Sequence, residues 1–126
     1  MYTTPDIMRL AGDLARHSAA RLAVTAENTA NADTPGYKAR DISAFEGFVA
    51  KEGDLRATRH GHIAREARTD GFAFRHIGGE QSMNGNDVNL EAELVRSTQA
   101  RSGHTLALAV YSASLDILRT ASGRGR

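Results

Sequence analysis

The chain has 126 residues, 40% of them hydrophobic but only 6% aromatic, with no Trp and no Cys. The missing cysteines exclude disulfides, thiolate zinc sites and thiol catalysis. Sixteen basic against fifteen acidic residues leave a formal charge of +1, which is not the footprint of a nucleic-acid binder. A core this poor in large side chains is thin, so part of the apolar surface is expected to be completed by another chain.

The first element is a long helix. Thr4 suits its N-cap, Pro5 its first position, and Asp6 the positive end of its dipole. Ile7, Leu10, Leu14, Ser18 and Leu22, with Ala11 and Ala15, fall on one alanine-rich arc, and Val24 extends its edge. The helix is expected to stop by Ala32. Thr34-Pro35-Gly36-Tyr37 places Pro and Gly at the centre of a type II turn. Asp33, Asp41 and Glu46 gather near this turn and read as solvated carboxylates.

The middle, from about residue 38 to 87, holds most of the glycines and few apolar residues. It reads as loops with one or two short strands, Phe72-Ala73-Phe74 among them. His60 and His62 form a His-X-His pair, followed by His76, but without a third ligand at metal-site spacing. His17 and His104 sit on the two helices at positions where they can face each other.

Asn84-Gly85-Asn86-Asp87 is a turn that hands over to the last helix, with Asp87 or Asn89 as N-cap and Glu91 and Glu93 in the first turn. Leu94, Leu106, Leu108, Leu115 and Leu118 are among its apolar residues, and Ser122-Gly123 is its stop. Gly103, beside a polar stretch, marks residues 97–105 as the weakest part and the place for a bend. The fold class is therefore mainly α. Two long terminal helices form an antiparallel, coiled-coil-like hairpin around a loop-rich centre with little β. The expected divisions are 1–33, 34–86 and 87–126.

The strongest local signal runs from Asn28 to Lys38. Val24, Asn28 and Asn31 share one helix face. Their amides either bond to a neighbouring backbone in a close-packed interface or merely weaken and end the helix. A Gly-X-Ser-X-Gly elbow and a phosphate-binding glycine loop are both missing from the sequence. No catalytic, cofactor-binding or metal residue is assigned.

Ala30-Asn31-Ala32-Asp33-Thr34-Pro35-Gly36-Tyr37-Lys38, ending a long helix, resembles the signature of the flagellar rod and hook axial proteins. Lys38-Ala39-Arg40-Asp41-Ile42 and Asn84-Gly85-Asn86-Asp87-Val88-Asn89-Leu90-Glu91 are similar to the FlgB-type proximal rod subunits. The resemblance implies a structural subunit at the proximal end of the basal-body rod that transmits torque. It implies export by the flagellar type III apparatus without a cleavable signal, and a place in the periplasmic rod. Its implied partners are copies of itself, other proximal rod subunits, the basal-body adaptor at the rod base and the export gate. It implies neither nucleic acid nor membrane insertion.

The expected assembly interface comprises Ile7, Leu10, Leu14, Leu22, Val24, Asn28, Asn31, Pro35, Gly36, Tyr37, Leu94, Leu106, Leu108, Leu115 and Leu118, packing within and between subunits. A soluble helical adaptor or secretion chaperone using the same helix faces is the alternative. A small hydrolase built on His60 and His62 is a third reading.

Overall fold

A computed structural model describes residues 6–46 and 72–123. Helix α1 spans Asp6–Ala30 and helix α2 spans Leu90–Ala121, joined by strands β1, Arg40–Ile42, and β2, Phe74–His76. The strands pair antiparallel, with Asp41 opposite Arg75. Ser18 lies against Gly103, and the end of α1 at Asn31 lies against Asn86, so the helices run antiparallel. The mainly helical class with little strand holds.

The helix ends follow the local chemistry of the sequence. Asn89 is the N-cap of α2, its Oδ1 accepting from the Ala92 N–H at 3.0 Å. At the other end the Ser122 N–H bonds back to the Leu118 carbonyl, and Gly123 follows at φ +71°. The turn after α1 has the Tyr37 N–H on the Thr34 carbonyl at 3.3 Å and Gly36 at φ +71°, the signs of a type II turn.

The helix seam differs from the leucine seam expected. The buried residues of α2 are Glu93, Ala100, Ala107 and Ser114, one per heptad. None of the leucines among the described residues is fully buried. Small residues allow the helix axes to approach closely, and the leucines are turned away from the contact by the same heptad phase. Gly103 is part of this seam rather than a bend, and α2 runs unbroken through residues 97–105. A Cβ on Gly103 would stand 2.9 Å from the Ser18 Oγ.

Helix α1 carries two buried stripes. Ala11, Ser18 and Thr25 recur at heptad spacing, and Ser18 marks this stripe as the one against α2. His17 and Asn28 contact the segment around β1. His17 does not turn towards His104. Its Nε2–H donates to the Ser43 carbonyl at 2.8 Å, and its ring lies against Phe45 and Phe72.

A large side chain at position 103 should wedge the seam open. Gly103→Leu is expected to destabilise the protein by about 2 kcal/mol in thermal melts followed by circular dichroism. The same change in an isolated α2 peptide should raise its helicity, because leucine is the better helix former.

Candidate assembly interface

The two sequence segments that carry the resemblance form one hydrogen-bonded junction at the turn end of the hairpin. Asn86 is buried, and its Nδ2 donates to the carbonyls of Asn31 at 2.9 Å and Thr34 at 2.8 Å. Its Oδ1 accepts from the Val88 N–H at 2.8 Å. One amide therefore adds a second donor to carbonyls that already accept the Thr34 and Tyr37 N–H groups where α1 ends, and fixes the backbone that enters α2. Gly36 N–H reaches the Asn84 carbonyl at 3.0 Å, and Asp87 N–H the Tyr37 carbonyl at 3.3 Å.

Asn28 does the same for β1. Its Nδ2 donates to the Arg40 carbonyl at 2.7 Å, while its Oδ1 accepts from the Arg40 N–H and the Tyr37 hydroxyl, both at 3.2 Å. The two asparagines of the motif thus divide the two readings offered for them. Asn28 grips a neighbouring backbone, but that backbone belongs to the same chain. Asn31 ends the helix, donating to its own Glu27 carbonyl and accepting from Thr34.

Asp41 is buried rather than solvated, because Arg21 reaches it from α1 with two nitrogens, each at 2.9 Å. Burial pushes the Asp41 carboxyl up, but the hydrogen bonds from Arg21 and the Ile42 N–H, with the charges of Arg21 and Arg75, outweigh it and hold its pKa below the ordinary value. Asp87 is buried as well. Its Oδ1 accepts from the Ala39 N–H at 2.6 Å, and its Oδ2 lies 3.2 Å from His76 Nε2 and 3.7 Å from Lys38 Nζ. Gly78 leaves room for that pair, since a Cβ there would meet both side chains at under 3 Å.

The expected interface residues sort into three groups. Val24 and Asn28 are buried inside the subunit and are removed from any surface by β1 and Tyr37. Leu14, Leu22, Asn31, Tyr37 and Leu115 are half-buried. Ile7, Leu10, Pro35, Gly36, Leu94, Leu106, Leu108 and Leu118 are exposed, Leu94 at 68% and Leu108 at 52%. Leu94, Leu108 and Leu115 each follow a buried seam residue by one position, so they form a second heptad row beside the first. Tyr111 and Leu118 flank its outer half.

Arg21, Asp41 and Asn86 are the structural residues that pattern reading missed. A signal existed only in Asn86, inside the turn motif. The pairing of Arg21 with Asp41 needs the tertiary fold. Among the described residues no group of His, Asp or Glu is placed to hold a metal ion. No helix among them is long and apolar enough to cross a membrane. His60 and His62 lie outside the described residues.

A family model for the flagella basal body rod protein matches residues 17–38, the second half of α1 and the turn that follows it. The flagellar basal body rod protein FlgB of Agrobacterium fabrum (strain C58 / ATCC 33970) is 28% identical over 110 residues, spanning 80% of this chain and 81% of its own length. The chain is therefore similar to FlgB-type flagellar basal-body rod proteins, in a short stretch by the family model and over most of its length by this relative.

Losing the donor half of one amide should be costly in this junction. Asn86→Asp is expected to destabilise the protein by about 2 kcal/mol, because the carbonyls of Asn31 and Thr34 each lose one of two donors and face a buried negative charge instead; urea melts at neutral pH measure it. Asp41 gives a pH dependence of known sign. Its folded pKa lies below the ordinary value for an aspartate. Its contribution is therefore present above that value and lost as pH falls through it towards the lower folded pKa. Asp41→Asn should flatten the loss of stability in acid below about pH 4, as read by melts across pH.

Proposed function

We propose that this chain is a structural subunit of the flagellar basal-body rod and packs at the proximal end of the periplasmic rod through the exposed heptad row of α2 and the apolar start of α1. The observation that carries the reading is the row Leu94, Leu108, Leu115 with Leu118, set beside a hairpin seam already filled by small residues. Ile7 and Leu10 lie exposed at the same end of the hairpin as Leu118. A face of this kind costs hydration until another helix covers it. Helices of neighbouring copies and of other proximal rod subunits are its occupants in this reading. Pro35, Gly36 and Tyr37 add a contact at the turn end.

In this arrangement residues 1–33 and 87–126 supply the rod core and 34–86 the outward segment. In this reading the subunit reaches the rod through the type III export gate, sits against the basal-body adaptor, and passes torque along the packed helices. The adaptor or chaperone alternative has no observation of its own in its favour.

Leu108→Asp places a charge in the proposed contact while leaving the small seam untouched. A strain carrying only this variant is expected to be non-motile and to lack the rod in purified basal bodies, although the purified subunit keeps its helical circular dichroism. Normal swimming would remove α2's outer row from the assembly contact.

A further inference from the structure

A second surface lies at the turn end, away from the leucine row. Lys38, Arg40, Phe74, Arg75 and His76 line an open cup of about 530 Å³. Its cationic side chains remain 44–57% exposed. The carboxylates that balance Lys38, Arg75 and His76 are Asp41 and Asp87, and both sit behind the cup with side chains no more than 2% exposed. Asp41 is already held by two nitrogens of Arg21, and Asp87 by the Ala39 N–H. Glu27 is the carboxylate at the rim, paired with Arg40 and half exposed. The cup therefore shows its positive charge outward and keeps most of its negative charge inward.

Phe74 lines the same cup, 60% exposed, with the Arg40 guanidinium 5.5 Å from its centroid. Aromatic and arginine side chains together are the composition of an energetic contact between proteins, and complementary charge sets its partner. We infer that the cup docks an acidic segment of another protein, with carboxylates meeting Lys38, Arg75 and His76 and an apolar side chain resting on Phe74. A second copy of this chain is the competing occupant, and the test below separates the two. The inference does not depend on the rod packing of α2, and Leu108→Asp leaves the cup intact.

The test is fluorescence anisotropy of the full chain with a labelled synthetic peptide of alternating glutamate and leucine at low ionic strength. The unaltered chain and Leu108→Asp are expected to bind it equally. Arg75→Ala should weaken binding about tenfold, Phe74→Ala by about fivefold, and Arg75→Lys should stay within about threefold of the parent. Circular dichroism of each variant checks the fold. Phe74→Ala, at a largely exposed position, decides the matter where Arg75→Ala unfolds. No binding by the parent overturns the proposal, as does equal binding by Phe74→Ala and Arg75→Ala. Equal binding of heparin by the parent and Phe74→Ala, with a glutamate-only peptide as tight as the mixed one, overturns it in favour of a general polyanion surface. Self-association of the chain that Arg75→Ala abolishes overturns it in favour of a second copy.

Discussion

Two hydrogen bonds from the Asn86 amide to the carbonyls of Asn31 and Thr34 hold the geometry on which the hairpin depends. A helix end leaves carbonyls that must find donors. The Asn31 and Thr34 carbonyls accept the N–H groups of Thr34 and Tyr37 within the turn, and the Asn86 amide adds a second donor to each from the segment about to become the second helix. The Asn86 Oδ1 then accepts from the Val88 N–H, two residues before α2 begins at Leu90. Asn28 and Asp87 extend the arrangement by binding the backbone of Arg40 and Ala39. Each of these side chains is buried, so each would be expensive unpaired. The junction consequently specifies its own closed form strongly.

The helix pair beyond the junction is built on the opposite logic. Alanine at 100 and 107, serine at 114 and 18, and glycine at 103 bring the helices close but bury few methylenes. At about 0.8 kcal/mol per buried methylene, such a seam contributes little. It also carries a burden. Glu93 and Asp13 are buried with one carboxylate oxygen each lacking a hydrogen-bond partner, and only the arginines one turn on, Arg96 and Arg16, neutralise them. Buried charges of this kind set register better than they stabilise. The large apolar side chains of α2 face outward, so most of the apolar area of this helix is not used in closing the hairpin.

The long helices, their caps and the type II turn were legible because they rest on local rules: Asn89 as N-cap, Gly36 and Gly123 at positive φ, and Asn31 ending α1. The phase of the seam was not. A leucine arc and an alanine arc adjoin on α2, and hydrophobicity alone favours the leucines as the buried side. Close approach reverses that choice, since the smaller residues fit between two backbones. Gly103 was read as weakness for the same reason: a helix propensity knows nothing of Ser18 across the seam. The burial of Asp41 was equally out of reach, because Arg21 lies twenty residues away in sequence. The grip of Asn28 on its own strand, rather than on a neighbour, also follows from the fold and not from the amide's chemistry.

These two halves of the subunit have different dependences on their surroundings. The turn end ties its chain ends together by internal hydrogen bonds, with Asp87 Oδ2 the buried oxygen there that lacks one among the described residues. The helices leave Ile7, Leu10, Leu94, Leu106, Leu108 and Leu118 exposed. A subunit divided in this way keeps a fixed angle between its helices while their outer faces remain available. The junction fixes the directions of α1 and α2 by buried hydrogen bonds, while the small-residue seam between them adds close approach with little apolar burial.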